Sequence, residues 1–189
     1  MSNKAIKGSF RIIGGKYKGR KFEFIPSDDL RPTPDRLRET LFNWLGQILG
    51  NKNCLDLFAG TGSLGLESLS RGADKVTFVE KNSYHLNKIK KYIGSLNADE
   101  DVFIIKGDVL TWLDETTQDF DLIFVDPPFY RQLAEKVLLK IKTNGLLSNF
   151  GKVYLEVEKE LDLNFLIKGW DIIKETKSGE KKYLLIKEK

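Results

Sequence analysis

The feature that most constrains the fold is an alternation, from residue 53 onward, of short apolar runs with longer helical segments. Helices are predicted over residues 63–71, 83–96 and 131–142, and the apolar runs read CLDLF, VTFVE, VFIIK, DLIFVD, VYLEVE, WDIIK and YLLIK. Strands that are apolar on both faces are typical of a mainly parallel sheet with helices on each side. The last two runs are joined by TKSGEKK, which is too short for a crossover helix, so these strands should pair antiparallel. The sequence therefore predicts an α/β fold.

The first fifty residues follow a different pattern. Residues 9–13 and 20–25 are β-rich and flank GGKYKG, whose glycines permit a turn, so a hairpin is predicted. The RPTP segment then suits a helix entry. Over residues 35–49 apolar side chains recur at helical spacing, namely Leu37, Leu41, Trp44, Leu45 and Ile48. Because 189 residues can bury one substantial core, we predict a main domain over residues 51–189 with an N-terminal extension over residues 1–50.

The composition excludes several kinds of site. One cysteine, Cys54, and one histidine, His85, are too few for a disulfide framework or a Cys/His zinc site, and no metal is expected. No apolar stretch approaches the roughly 18 residues of a membrane span, and the N-terminus lacks an apolar signal region, so we expect a cytoplasmic protein. A single histidine also excludes most Ser-His-Asp and Cys-His designs, unless His85 is the base. We therefore expect the chemistry to depend on carboxylates, backbone groups or a bound cofactor.

Basic residues are concentrated at the N-terminus. The first 21 residues contain seven Lys or Arg and no Asp or Glu, whereas the formal net charge of the whole chain is +4. Such a segment is typical of a surface that faces a polyanion, with a solvated basic tail as the alternative.

The first junction between a strand and a helix reads CLDLFAGTGSLG. Gly60 and Gly62 allow a tight turn and a close approach of the backbone to a ligand at the carboxyl end of the strand. With Gly65 they also match GxGxxG, and Glu80 ends the next strand where a ribose-binding acid would lie, so the glycines alone leave nicotinamide cofactors open. Asp56, in the same segment, can bind a cationic amino group. S-adenosylmethionine, which has an ammonium, a sulfonium and a ribose but no phosphate, is therefore favoured.

A third acid, Asp108, follows the run VFIIK and could accept a hydrogen bond from an adenine amino group. Taken alone, it could equally be a loop aspartate or a helix cap. However, Asp56, Glu80 and Asp108 each follow a separate apolar strand of a predicted parallel sheet. We therefore expect the three acids to lie at the same edge of that sheet.

The segment DLIFVDPPFY carries the most specific chemistry. Asp126 ends a strand, and Pro127 and Pro128 then fix φ and remove two backbone donors, which leaves a rigid turn that offers only acceptors. A planar amino group on a nucleobase becomes a nucleophile as it pyramidalises, and acceptors at Asp126 and at the Pro127 carbonyl can hold its two N–H bonds in that geometry. Phe129 can stack on the base.

These motifs together resemble those of the seven-strand, S-adenosylmethionine-dependent methyltransferases. Within them the chain is similar to the bacterial family that methylates guanine N2 at position 966 of 16S ribosomal RNA, and the most specific matching segment is RPTPDRLRETLFNWL. The resemblance implies a Rossmann-like sheet of order 3-2-1-4-5-7-6 and a catalytic turn from Asp126 to Phe129. It also implies cofactor contacts from Asp56, from the turn formed by Gly60, Thr61 and Gly62, and from Glu80 and Asp108. To this set we add the neighbouring residues Phe58, Lys81 and Val109.

The expected partner is 16S rRNA, free or within a small ribosomal subunit, and we expect a monomer. Guanine N2 is hydrogen-bonded in a duplex, so the target base must be unpaired or flipped. The residues predicted to grip phosphates are Arg11, Lys16, Lys18, Arg20, Lys21, Arg31, Arg36 and Arg38. Ion pairs of Arg36 or Arg38 on the helix surface are the alternative. An adenine-N6 methyltransferase and a non-catalytic RNA-binding assembly factor remain alternative functions.

Overall fold

The computed structural model describes residues 7–26, 30, 32–128 and 131–189, and this part of the chain forms nine β-strands and six α-helices. In chain order they are β1 (Gly8–Arg11), β2 (Lys21–Phe24), α1 (Asp35–Leu45), β3 (Asn53–Asp56), α2 (Ser63–Ser70), β4 (Lys75–Glu80), α3 (Ser83–Leu96), β5 (Val102–Lys106), α4 (Val109–Glu115), β6 (Phe120–Val125), α5 (Arg131–Thr143), β7 (Leu147–Glu158), α6 (Leu163–Leu166), β8 (Trp170–Ser178) and β9 (Lys181–Glu188). No helix in these described ranges is long and apolar enough to cross a membrane.

Strands β3 to β9 form the large sheet, in the order β5-β4-β3-β6-β7-β9-β8. Numbered along the chain from β3, this is 3-2-1-4-5-7-6, so the predicted order is confirmed. Strands β3 to β7 pair in parallel, whereas β9 is antiparallel to both β7 and β8. The short β8–β9 connection leaves no room for a crossover, which explains the antiparallel pair.

Apolar clusters cover both faces of the large sheet. On one face, side chains of α1, α2 and α3 pack with the sheet residues Phe78 and Phe124. On the other face, α4 and α5 pack against the alternate sheet residues, among them Ile123 and Leu155. This is the arrangement that strands with two apolar faces require.

Strands β1 and β2 form the predicted hairpin, which packs through aromatic rings on α3. The ring centroids of Phe22 and Tyr92 lie 4.5 Å apart, and Phe10 meets Tyr92 edge-on at 6.1 Å. The Tyr92 hydroxyl also donates to the backbone oxygen of Glu23 at 2.6 Å. The hairpin thus shares one apolar cluster with the sheet, and a division of the chain at residue 50 stays a prediction.

Helix α1 ends earlier than its apolar spacing predicts. Leu37 and Leu41 are buried as expected, but the helix stops at Leu45 and Ile48 is 82% exposed. The prediction of a helix to residue 49 is therefore wrong by four residues at its C-terminal end. Leu49 is buried instead, because its backbone N–H donates to the oxygen of Arg71 and draws this segment against the end of α2.

Candidate active site

The predicted acids meet at the carboxyl edge of the large sheet. Strands β5, β4, β3 and β6 are parallel neighbours, and each is followed or ended by one acid. These acids are Asp108, Glu80, Asp56 and Asp126. Because ligands of open α/β sheets bind outside the carboxyl ends of strands, this edge is the candidate site.

The glycine turn connects β3 to α2 and requires left-handed backbone. Gly60 and Gly62 have φ angles of 51° and 75°, which residues other than glycine rarely adopt. The N–H of Gly60 donates to Glu80 Oε2 at 2.8 Å, so the turn is held against the neighbouring strand. Gly65 has a separate role, since a Cβ there would lie 2.2 Å from the ring of Phe78. The third glycine of GxGxxG therefore permits close packing of α2 on β4.

Asp56 lies beneath this turn and is only 4% exposed. Its Oδ2 accepts a hydrogen bond from the N–H of Gly65 at 3.1 Å, which ties β3 to the first turn of α2. Burial raises the pKa of Asp56 to about 7, against the opposing effect of the Gly65 N–H. The structure therefore gives Asp56 one anchoring role, and its predicted contact with a cationic ligand stays a prediction.

Glu80 organises the adjacent part of the site. In addition to Gly60, it accepts a hydrogen bond from the N–H of Asn82, at 2.7 Å. His85 Nδ1 lies 3.8 Å from Glu80 Oε1. Burial opposes ionisation of Glu80, but His85 and these two N–H groups outweigh it and lower its pKa. Glu80 is thus a fixed carboxylate whose position suits the predicted ribose contact.

Asp108 is the N-cap of α4. Its Oδ1 accepts from the N–H groups of Leu110 and Thr111 at 2.9 and 3.2 Å, so the helix-cap interpretation is confirmed. Its Oδ2 receives no hydrogen bond from the described part of the chain, and the predicted adenine contact stays a prediction.

The other predicted cofactor residues differ in exposure: Thr61, Gly62 and Val109 are buried, Phe58 is half-buried and Lys81 is exposed.

The predicted catalytic turn follows β6. Asp126, Pro127 and Pro128 are half-buried at the sheet edge, whereas Phe129 lies outside the described residues. Lys181 Nζ donates to Asp126 Oδ1 at 2.9 Å. This lysine was not among the residues predicted from the sequence.

Lys181 also binds a buried acid that sequence reasoning missed. Its Nζ donates to Glu156 Oε2 at 3.0 Å, and Glu156 is 2% exposed. Thr33 Oγ1 donates to Glu156 Oε1 at 2.7 Å. Burial, and then the charge of Asp126, raises the pKa of Glu156 to about 7, while Lys181 opposes the shift. Thr33 lies within RPTP, which the sequence linked only to a helix entry and to the family resemblance. Its partner is 123 residues away along the chain, so no local pattern indicated this contact.

The basic turn of the hairpin lies away from the acids. Lys16 N–H donates to the backbone oxygen of Ser70 at 2.7 Å, and Ser70 is the last residue of α2. Because α2 starts at the glycine turn and has eight residues, this contact is about 12 Å from that turn. Lys16, Lys18, Arg20 and Lys21 are exposed there. The basic turn of the hairpin is therefore separated from the glycine turn by about the length of α2.

The prediction that Arg38 binds RNA is wrong. Arg38 is 0% exposed, and its guanidinium donates to Glu67 Oε2 at 3.2 Å and to Asp35 Oδ1 at 2.5 Å. It also donates to the backbone oxygens of Thr33 and Arg11. The ion pair with Asp35 is the alternative that its helical spacing allowed.

The remaining predicted phosphate ligands differ from Arg38. Arg36 is exposed on α1. Arg11 is also exposed and pairs with Asp35 at 3.0 Å. Arg31 lies outside the described residues.

Known proteins resemble this chain in sequence and in fold. The family model described as "Conserved hypothetical protein 95" matches residues 10–187. The ribosomal RNA small subunit methyltransferase D of Haemophilus influenzae is 41% identical over 182 residues, covering 95% of this chain and 94% of that protein. The solved structure of the Escherichia coli protein yhhF is 36% identical, has a TM-score of 0.86 and covers 96% of this chain and 98% of that one. A protein crystallised with SAH shares the fold at 16% identity, with a TM-score of 0.70 over 89% of this chain and 53% of that one.

Proposed function

This chain belongs to the family described as Conserved hypothetical protein 95, and from that premise we propose that it transfers a methyl group from S-adenosylmethionine to the exocyclic N2 of a guanine in small-subunit ribosomal RNA. The observation that carries the proposal is the acceptor-only turn Asp126-Pro127-Pro128, placed at the same sheet edge as three further acids.

The residues at this edge fit S-adenosylmethionine. When bound, this cofactor supplies an electrophilic methyl group on a sulfonium. The glycine turn, with its left-handed Gly60 and Gly62, lets backbone approach a ligand closely. Glu80 is held ionised beside the turn and can accept the ribose hydroxyls, Asp108 Oδ2 can accept from the adenine amino group, and Asp56 can pair with the ammonium. Carboxylates that follow or end four neighbouring strands suit a cofactor with an ammonium and a ribose but no phosphate, which favours this cofactor over a dinucleotide.

Asp126 and the carbonyl of Pro127 act on the amino group of the target base. Both are acceptors, and the prolines contribute no N–H that could bind the nitrogen lone pair. By accepting one N–H each, they favour a pyramidal nitrogen whose lone pair points out of the ring plane. That geometry exists in the transition state and not in the flat ground state, so these contacts lower the barrier. Stacking of the base on Phe129 remains a proposal from the sequence.

Guanine N2 is the proposed target because the chain, through RPTPDRLRETLFNWL, resembles the family that methylates this atom in 16S rRNA. The related Haemophilus protein is named for small-subunit rRNA, and an unpaired guanine in RNA can present its amino group to a pocket. The exposed basic residues of the hairpin support an RNA substrate, since distant phosphate contacts add affinity without reading bases.

The test is methyl transfer from labelled cofactor to 16S rRNA and small subunits from cells that lack the protein, followed by mass spectrometry of the digested RNA. We expect N2-methylguanosine, and Asp126→Ala should reduce single-turnover rates by about 100-fold or more with little change in cofactor affinity. Asp119→Ala is the matched control, because Asp119 is exposed just before β6, at the opposite end of that strand. N6-methyladenosine as the product, or a fully active Asp126→Ala, would refute the proposal.

A further inference from the structure

We propose that Lys181 is a positioning residue for methyl transfer, which fixes the carboxylate of Asp126 and is held itself by Glu156, whose carboxylate is in turn held by Thr33. This inference rests on the proposed function, since it assigns a role within the same site. It starts from the contact of Lys181 Nζ with Asp126 Oδ1 at 2.9 Å and with Glu156 Oε2 at 3.0 Å.

The first step concerns Asp126. The torsion that orients an aspartate carboxylate is broad, so an unanchored side chain at a sheet edge samples many orientations. The bond to Lys181 restrains Oδ1, while Oδ2 receives no hydrogen bond from the residues that the structure describes. One oxygen is therefore anchored and the other is available to accept the N–H of a substrate amino group. Preorganised acceptors of this kind stabilise a transition state without reorganising during the reaction.

The second step concerns what holds Lys181. Its side chain is 25% exposed, whereas that of Glu156 is 1% exposed on β7. A buried carboxylate without a cation is strongly unfavourable, so Glu156 keeps the ammonium in place. Burial lowers the pKa of Lys181, but Asp126 and Glu156 outweigh this and raise it, so the ammonium stays charged.

The third step concerns Thr33, which links this network to the RPTP segment. Thr33 Oγ1 donates to Glu156 Oε1 at 2.7 Å, and Tyr154 Oη donates to the same oxygen at 3.2 Å. Glu156 therefore accepts from three elements: the segment before α1, strand β7 and strand β9. The N-terminal extension is thereby joined to the catalytic turn through Lys181.

The experiment compares Lys181→Met, Lys181→Arg and the matched control Lys187→Met, in which an exposed lysine of the same strand is changed. Lys181→Met should lower kcat about 10- to 100-fold, the range for loss of one charge-assisted hydrogen bond. The Kd for S-adenosylmethionine should stay within about twofold of the wild type. The melting temperature should fall, because Lys181→Met leaves the buried Glu156 carboxylate without its cation. Lys181→Arg, which retains the charge, should recover most of the lost kcat, and Lys187→Met should match the wild type.

A double-mutant cycle shows whether Lys181 acts through Asp126. If it does, Lys181→Met should have little further effect on the single-turnover rate once Asp126→Ala is present. Additive losses would overturn the inference, as would a kcat for Lys181→Met equal to that of Lys187→Met, or a parallel loss of cofactor affinity.

Thr33→Val provides an independent arm if Lys181→Met fails to fold. It should lower kcat about 3- to 10-fold at unchanged cofactor affinity, a smaller loss than for Lys181→Met because Thr33 acts on Lys181 only through Glu156. An unaltered kcat would overturn the inference. These outcomes differ from failure of the proposed function, in which the wild-type protein itself would leave guanine N2 unmethylated.

Discussion

Replacing Glu67 by alanine should destabilise the protein, because Glu67 neutralises two buried cations. Its Oε1 accepts from Arg71 Nε at 2.8 Å, and its Oε2 accepts from Arg38 at 3.2 Å and from the N–H of Ile13 at 2.9 Å. The side chains of Glu67 and Arg38 are 0% exposed and that of Arg71 is 3% exposed. Asp35 can compensate Arg38 only in part, since Asp35 is 42% exposed. Glu67→Ala therefore leaves buried guanidinium groups without their shared carboxylate.

The magnitude follows from that burial. Removing one partner of a buried ion pair costs about 3 to 5 kcal/mol in the free energy of unfolding. For a chain of this size, each kcal/mol shifts the melting temperature by roughly 2 to 4 °C, so the expected loss is roughly 6 to 20 °C. The hairpin should also loosen, because Glu67 accepts the N–H of Ile13.

Differential scanning calorimetry measures this loss, with limited proteolysis of the hairpin as a second readout. The matched control is Glu39→Ala, in which an exposed helical glutamate is removed, and it should change stability by less than about 0.5 kcal/mol. A Glu67→Ala protein that melts within about 2 °C of the wild type would refute the reasoning.

Three further predictions concern ligands. Glu80→Ala should weaken cofactor binding by about 1 to 3 kcal/mol in calorimetry, because it removes a charged acceptor and the anchor of the Gly60 N–H. An unchanged Kd would show that Glu80 does not contact the ligand. The pKa of Asp56 is raised to about 7, so cofactor binding through its ionised form should weaken as the pH falls below 7. In binding titrations from about pH 5.5 to 8.5, Asp56→Asn should remove that dependence on pH. The third prediction concerns the exposed basic residues of the hairpin, which are Lys16, Lys18, Arg20 and Lys21. Neutralising all four should make the slope of log affinity for RNA against log salt shallower, by about 0.7 to 0.9 for each phosphate that the protein no longer binds. An unchanged slope would place RNA binding elsewhere.

Local patterns were sufficient for much of the site. Apolar runs on both strand faces indicated the parallel sheet, and the parallel arrangement in turn placed Asp56, Glu80, Asp108 and Asp126 at one edge. The glycine turn and the Pro-Pro turn are determined by the backbone chemistry of a few consecutive residues, which is why short motifs reveal them. The same reasoning could not choose between the two predicted roles of Asp108, because one carboxylate can cap a helix with Oδ1 and still leave Oδ2 for a ligand.

Only the tertiary structure decided the environment of the charged residues. Arg38 has the same helical setting as exposed Arg36, yet it is buried because the hairpin and α2 close over one face of α1. Thr33 and Lys181 meet at Glu156 from opposite ends of the chain. The distance between the hairpin turn and the acids likewise depends on which end of α2 the hairpin packs against. Burial and long-range pairing result from the docking of segments that are far apart along the chain, so no local pattern of residue types determines them.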